Sequence, residues 1–297
     1  MTQPTHTLPQ PDKPAGLWAR FITQLYEHGK RHAIQSIVRE ELEAVMDSMV
    51  ESYDRGEQKP VVRPSGNLAC ARQAWLLEKY GTENDEDDGN RQCLFSAGHF
   101  FHALAFAYCR TALPPGFSLE TEQEPESMPD WWPDRPSFNQ TGHQDMILRV
   151  TDPDLAALYL LPSAGSECLV DFKSMGGWGY SKHKSTPAWE GPDSFGYMAQ
   201  MAVYSDGSAK YDEHVLAAIS KNQLMAPLVC RVIPSNVTSG EMYRLRKGFE
   251  KLEAGTDPGP EFFMRWGKQA AFTCGVPGQK LGACSQSGNC HKEGWPV

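Results

Sequence analysis

Asp171 and Lys173 lie two residues apart in the apolar segment LVDFKSMGG, residues 169–177. Residues two apart in a β-strand share a face, so both charges would point to one side of a sheet. Asp145 lies in the earlier segment TGHQDMILRV, which also has the pattern of a strand. Two carboxylates on neighbouring strands are suited to bind Mg²⁺, and a lysine beside that cation would orient or deprotonate an attacking water. The alternative interpretation is an edge strand that carries an exposed ion pair.

Three further side chains have a spacing compatible with the same site. Gln200 and Tyr204 are four residues apart in SFGYMAQMAVYS, so they share a face of the helix predicted there. His102 follows Gly98 by four residues in a helix that is apolar on nearly all sides. Each feature also fits a structural role, since a histidine on an apolar helix is more often a core residue than a ligand.

The four patterns together resemble the PD-(D/E)xK nuclease superfamily, and more narrowly its RecB-type exonuclease branch. The ordered signature of that branch is G-x-x-x-H, G-x-x-D, D/E-x-K and Q-x-x-x-Y. The matching residues are Gly98 to His102, GHQD ending at Asp145, VDFK with Asp171 and Lys173, and QMAVY with Gln200 and Tyr204. The resemblance covers roughly residues 64–292 and implies an α/β fold, in which helices flank a central mixed sheet with a restriction-endonuclease-like core.

The resemblance also implies a role for each matching residue. The ligands of Mg²⁺ or Mn²⁺ would be His102, Asp145, Asp171 and the backbone carbonyl of Phe172. Lys173 would position the attacking water, and Gln200 and Tyr204 would contact DNA or stabilise the site. One departure is that no acid follows His102 in HALAF, where family members often have one. Glu122 and Glu124, in the acidic stretch before Asp145, are secondary candidates for a further carboxylate.

Four of the eight cysteines predict a second metal centre. Cys70 precedes the nuclease-like segments, and Cys274, Cys284 and Cys290 follow them. One leading and three trailing cysteines resemble the iron–sulfur nucleases of this superfamily, of the AddB subunit type and the CRISPR-adaptation type, in which a [4Fe-4S] cluster joins the chain ends. Four thiolates suit such a cluster. The gap between Cys274 and Cys284 is longer than in those proteins, so a Cys₄ zinc site remains an alternative, and His291 could replace one thiolate.

The segment GGWGYSKHKSTPAW, residues 176–189, has the composition of a loop that binds nucleic acid. Lysines contact phosphates and aromatic rings stack on bases, so interleaved residues of both kinds suit a single strand. The residues expected to bind DNA are Trp178, Tyr180, Lys182 and Lys184. An ordinary exposed loop is the alternative. This segment and AISKNQ also resemble nucleases that bacterial viruses encode in replication and recombination clusters.

The remaining patterns predict one α/β domain with helical additions. Residues 1–15 are expected to be a disordered tail, 16–62 a helical N-terminal extension with a break near Gly29, and 63–297 the nuclease domain with its cysteine cluster. The predicted helices cover 68–80, 97–110, 194–205 and 238–255. The predicted strands cover 141–150, 168–174, 214–220 and 228–234.

Composition limits the classes of function. The chain has 297 residues and a formal charge of −9, which disfavours a uniformly basic surface. The acids are concentrated, however: residues 82–90 and 120–130 hold five each, and setting those aside leaves 28 bases against 27 acids. A local basic groove is therefore compatible with the composition. No apolar run is long enough for a membrane span and the N-terminus lacks signal-peptide features, so we expect a cytoplasmic protein of a bacterium or a phage-infected cell.

These observations predict a Mg²⁺- or Mn²⁺-dependent deoxyribonuclease that hydrolyses phosphodiester bonds at DNA ends, in phage-type replication, recombination or repair. Expected partners are single-stranded DNA or the ends of duplex DNA, and either a replication or recombination protein or further copies of the chain. One alternative is a catalytically degraded DNA-binding or assembly subunit with the same fold, and another is a restriction-type endonuclease.

Overall fold

The computed structural model places a five-stranded mixed sheet between helices on both faces. It describes residues 16–54, 62, 64, 70–81, 89–123, 127–138, 142–158, 165–191, 193, 195–208, 211–223, 226–260, 265, 275–276, 280–281 and 287–293. The predicted tail, residues 1–15, lies outside this part of the chain. The α/β class is confirmed.

The helices and strands follow the chain in this order: α1 (Leu17–Arg31), α2 (Gln35–Asp54), α3 (Ala71–Tyr80), α4 (Gly89–Ala112), β1 (Phe117–Gln123), β2 (Gln144–Val150), α5 (Pro153–Leu158), β3 (Glu167–Met175), α6 (Gly177–Ser185), α7 (Tyr197–Ser208), β4 (Glu213–Ser220), β5 (Val229–Val232), α8 (Ser235–Glu253), β6 (Gly275–Val276), β7 (Lys280–Leu281) and α9 (Ser287–Lys292). No helix among the described residues is both long enough and apolar enough to cross a bilayer.

The main sheet has the order β1-β2-β3-β4-β5, and its neighbours are antiparallel except for the parallel pair β3 and β4. Parallel neighbours need a crossover connection, which α6 and α7 supply. The four strands predicted from sequence are present as β2 to β5. The strand β1 was not predicted, because the acidic run at 120–130 obscured its alternation.

The two faces of the sheet bury different layers, as the two-residue period of strands requires. Val170 and Phe172 face a layer formed by α1 and α4, in which Trp18 and Phe106 are fully buried. Leu169 and its neighbours on the other face pack against α7 and α8. The N-terminal helix α1 therefore contributes to the same core as the sheet.

The break predicted near Gly29 is present at 32–34, just after α1 ends at Arg31, and Gly29 itself lies within the helix. Its role is close packing: a Cβ atom at Gly29 would overlap the backbone carbonyl of Tyr108 in α4. The glycine lets the two helix backbones approach where any side chain would separate them.

We expect Gly29→Ala to lower the free energy of unfolding by about 1–3 kcal/mol, because overpacking outweighs the gain in helix propensity. Gly240→Ala is the matched control, since Gly240 is an exposed residue of α8 with nothing within 4 Å of the added Cβ. That change should raise stability by up to about 1 kcal/mol. Urea unfolding followed by circular dichroism measures both, and equal effects of the two substitutions would contradict the packing role.

Candidate metal centre

The candidate site lies where β2 and β3 separate. The paired residues of these two strands run from Arg149 and Glu167 to Met146 and Val170, so the pairing ends just before Asp145. There the Asp145 carboxylate replaces the missing strand contact, because its Oδ2 accepts a hydrogen bond from the backbone N–H of Phe172 at 2.7 Å. This bond fixes a buried carboxylate at the open end of the sheet.

Three side chains from different elements converge at this point. The ligand atoms of His102 in α4, Glu122 in β1 and Asp145 in β2 all lie within 4.8 Å of one another. The imidazole Nδ1 of His102 is 3.9 Å from Oδ2 of Asp145. One imidazole and two carboxylates are a donor set suited to a hard divalent cation such as Mg²⁺ or Mn²⁺.

Glu122 reaches the site through an unusual backbone conformation. Its φ of 50° is in the left-handed region, which few residues other than glycine adopt. Its neighbours Thr121 and Gln123 pair with Met146 and Gln144, so Glu122 lies beside Asp145 and outside the regular pairing. Such strain costs on the order of 1 kcal/mol and is concentrated at functional positions. The acidic stretch before Asp145 makes Glu122 and Glu124 secondary candidates for this carboxylate, and Glu124 lies outside the described residues.

Asp171 lies next to this group and pairs with Lys173, as their spacing on one strand predicts. The Lys173 Nζ is 2.8 Å from Oδ1 of Asp171, and both side chains are largely buried. No hydrogen-bond donor among the described residues reaches Oδ2 of Asp171, although this atom is buried. A buried carboxylate oxygen left in this state fits a site that receives a cation or its water ligands. Asp171 is not one of the three residues whose ligand atoms lie within 4.8 Å of one another, so its predicted role as a direct ligand stays a prediction.

The protonation of the site follows from burial and from the crowding of charges. Burial, opposed by Lys173 and reinforced by Asp145, raises the pKa of Asp171 to about 6. Desolvation of the carboxylate, then the charge of Asp145, raises the pKa of Glu122 to about 8, although the residue as a whole is exposed and solvent weakens both effects. Burial and then Lys173 lower the pKa of His102 to about 3, which leaves the imidazole in its neutral, ligand-competent form.

Lys173 remains an ammonium group. Burial lowers its pKa, but the charges of Asp171 and Asp145 raise it more, so the net shift is upward. The Nζ atom also lies 5.2 Å from the centre of the Tyr197 ring, a favourable distance for a cation over an aromatic face. Of the two expected roles, orienting water and deprotonating it, a persistent ammonium group favours the first.

Gln200 and Tyr204 lie behind the site, on the buried face of α7. Gly142, the glycine of GHQD, fits directly against Tyr204, since a Cβ atom there would be 2.8 Å from Cε1 of the tyrosine ring. The burial of Gln200 and Tyr204 favours a stabilising role over contact with DNA. Gly98 has a weaker constraint of the same kind, because its Cβ would lie 3.4 Å from Oγ of Ser174 in β3.

The segment 176–189 is helical at Gly177–Ser185, which corrects the loop expected there. Trp178 is 80% exposed and Lys182 holds its Nζ 5.3 Å from the centre of that ring. Lys184 is exposed as well. Tyr180 is buried and its hydroxyl donates to the carbonyl of Pro227, which argues against the base-stacking role expected for it. The glycines of segment 176–189 favour a loop, but packing of one face of α6 against the sheet stabilises a helix instead.

Two of the four predicted cluster cysteines lie in the described part of the chain. Cys70 immediately precedes α3, and α3 packs against α9, which carries Cys290. Arg72 is buried between them and donates through NH1 to Sγ of Cys290 at 3.3 Å. Burial raises the pKa of the Cys290 thiol against the opposing effect of Arg72, and the nearby Cys70 thiol adds to the rise. Cys274 and Cys284 lie outside the described residues.

Comparison with known proteins gives no match: no protein-family model, no curated protein and no solved structure is significantly similar to the chain. Any functional assignment must therefore be argued from the residues of the site.

Cation binding should depend on pH in a direction that the shifted carboxylates define. Because the folded-state pKa values of Asp171 and Glu122 are raised, their contribution to stability is complete below their ordinary pKa of about 4 and is lost as pH rises through about 6 and about 8. Binding of Mn²⁺ to the deprotonated acids should offset this loss, so it should raise the Tm more at about pH 8.5 than at about pH 6.

Differential scanning fluorimetry with and without Mn²⁺ measures this gain. Glu122→Gln should reduce the part of the gain that appears between about pH 7 and pH 8.5, because it removes the group that titrates there. A gain in Tm that is the same at all pH values would contradict the assignment of these carboxylates.

Proposed function

We propose that this protein is a Mg²⁺- or Mn²⁺-dependent deoxyribonuclease. The observation that carries the proposal is the convergence of His102, Glu122 and Asp145 within 4.8 Å of one another, beside the buried Asp171–Lys173 pair. The resemblance to RecB-type nucleases adds the expectation that hydrolysis occurs at DNA ends, in recombination or repair of phage type. The site residues carry the metal-dependent chemistry, and the resemblance alone carries the preference for ends.

The role of each residue follows from its position and charge. A divalent cation, when bound, supplies Lewis acidity that favours formation of hydroxide and offsets charge on the phosphate. His102, Glu122 and Asp145 would hold it, with Asp171 and the carbonyl of Phe172 as the further ligands that the resemblance implies. The hydrogen bond from Phe172 keeps Asp145 in place, so this ligand is oriented before any cation arrives.

Lys173 would orient the attacking water. Its ammonium group has one partner in Asp171 and further donors for a water molecule or a phosphate oxygen. Because Asp171 and Asp145 keep it protonated, it also supplies a positive charge beside the phosphate at which negative charge develops. Tyr197 supports the ammonium group from one side.

The carboxylate of Glu122 fills the role of the acid that is missing after His102. An absent acid at that point would favour a catalytically degraded subunit. The two carboxylates and the imidazole, whose ligand atoms lie within 4.8 Å of one another, support the active nuclease over that alternative.

Asp145→Asn and Lys173→Ala should each reduce Mg²⁺-dependent cleavage of labelled DNA by at least about 100-fold. The asparagine amide oxygen can still accept the hydrogen bond from Phe172, so the fold should persist. Lys247→Ala, at an exposed lysine of α8, is the control and should leave cleavage unchanged. Single- and double-stranded substrates are compared on denaturing gels, and circular dichroism verifies folding.

The products separate the alternatives. Ladders that shorten from an end support an exonuclease, whereas discrete internal fragments indicate a restriction-type endonuclease. If wild-type protein shifted DNA in a native gel without shortening it, the nuclease proposal would be refuted. The alternative of a DNA-binding subunit would then be supported. Full activity in both variants would refute the site assignment.

We also propose that Cys70 and Cys290 are two ligands of a [4Fe-4S] cluster, with Cys274 and Cys284 as the others. The packing of α3 on α9, which makes the two described thiols neighbours, supports the proposal. The cluster would be structural, since it would join the segment before α3 to the C-terminal helix.

Protein purified without oxygen should show the broad visible absorption of an iron–sulfur cluster, and Cys290→Ser should abolish that absorption and the bound iron. Cys230→Ser is the control, because Cys230 lies in β5 and belongs to the main sheet. Bound zinc without visible absorption would show that the cysteines form a Cys₄ zinc site and not an iron–sulfur cluster. If freshly purified protein contained neither iron nor zinc, the proposal would be refuted.

A further inference from the structure

An exposed aromatic ring lies close to the reactive end of the site. Phe195 is 47% exposed, and its ring stacks on that of Tyr197 with centroids 5.6 Å apart and an interplanar angle of 19°. Tyr197 in turn lies 5.2 Å from Nζ of Lys173. Two successive contacts therefore connect the solvent-exposed ring of Phe195 to the ammonium group that would orient the water.

The turn that carries Phe195 is held in place by hydrogen bonds. The half-buried carboxylate of Asp193 accepts hydrogen bonds from the backbone N–H groups of Tyr197 at 2.9 Å and of Met198 at 2.7 Å, which anchors the first turn of α7. Gly196 has a φ of 72°, a left-handed conformation that a side chain would strain, and its N–H donates to the carbonyl of Asp193 at 3.2 Å. A preorganised turn presents the ring without an entropic cost of ordering it at binding.

A basic group lies near the segment that precedes this turn. Nζ of Lys182 in α6 would be 3.7 Å from a Cβ at Gly191, four residues before Phe195 in the chain. The same Nζ lies over the ring of Trp178, which is 80% exposed. Recognition of a single strand has two components: basic groups contact the phosphates, and aromatic rings stack on the bases.

A single exposed apolar side chain is ordinary on a protein surface and by itself indicates no function. Phe195 differs in its position, because its ring stacks on Tyr197, which contacts Lys173, and it precedes the anchored first turn of α7. We propose that Phe195 stacks on the base of an unpaired nucleotide whose phosphate lies at the metal centre. This inference rests on the proposed nuclease and narrows its substrate to DNA that is single-stranded, or frayed, at the point of cleavage.

Stacking requires an open base face, so Phe195 discriminates between substrates. A paired base inside a duplex offers no such face, whereas a base in a single strand does. Loss of one aromatic stacking partner corresponds to about 10-fold weaker single-strand binding, within the range that alanine substitutions give. Phe195→Ala should therefore weaken binding of single strands by about 10-fold and leave binding of blunt duplex within about 2-fold.

The test uses full-length protein with Ca²⁺ in place of Mg²⁺, as a hard cation that takes oxygen ligands, and single-stranded oligonucleotides that carry 2-aminopurine at successive positions. Stacking quenches the fluorescence of this base, so wild-type protein should quench one position more than its neighbours. Phe195→Ala should abolish that extra quenching, and Phe195→Trp should restore it. Tyr243→Ala removes a 65% exposed aromatic residue from α8 and should change nothing.

Cleavage kinetics give an independent readout. In the presence of Mg²⁺, Phe195→Ala should raise KM for single-stranded DNA while kcat stays within about 3-fold, because the ligands and Lys173 are intact. Equal weakening of single-strand and duplex binding, or quenching that persists in Phe195→Ala, would overturn the inference. Failure of the wild type to cleave any DNA would refute the proposed function itself, whereas cleavage by the wild type with an indistinguishable Phe195→Ala variant would refute only the stacking role.

Discussion

The hydrogen bond from the backbone N–H of Phe172 to the carboxylate of Asp145 is the contact on which the site depends. It occurs where β2 and β3 stop pairing, so it replaces a strand contact with a side chain that belongs to the site. This bond orients Asp145 toward His102 and Glu122. Asp171 and Lys173 pair with each other on the adjacent strand. A regular pair of strands would have no space for a metal centre at this point.

Among the described residues, the carboxylates of the site outnumber the cationic side chains in contact with them. Asp145, Asp171 and Glu122 all have raised pKa values, mainly because burial disfavours their charged forms, and Lys173 supplies one compensating charge among the described residues in contact with them. Asp145 and Asp171 are buried, and burying carboxylates near one another is costly unless a cation or protons neutralise them. The strained backbone of Glu122 adds to that cost, and strain of this kind is concentrated at functional positions.

The N-terminal helices are part of this arrangement, although their sequence suggested only an extension. Gly29 allows α1 to pack tightly on α4, the helix that carries His102. Arg110, near the end of α4, pairs with Glu41 of α2. The extension therefore helps to position the helix that carries His102.

The sequence by itself determined the features that have a period or a fixed local spacing. Short runs rich in β-branched and apolar residues predicted β2, β3 and β4, and the two-residue spacing of Asp171 and Lys173 predicted their shared face. Tertiary structure alone decided the rest, because it depends on contacts between distant residues. Glu122 belongs to the site only because β1 pairs with β2, Tyr180 is buried only because α6 packs on the sheet, and Phe195 approaches Lys173 only through Tyr197. Each of these depends on how separate elements pack, which no local pattern encodes.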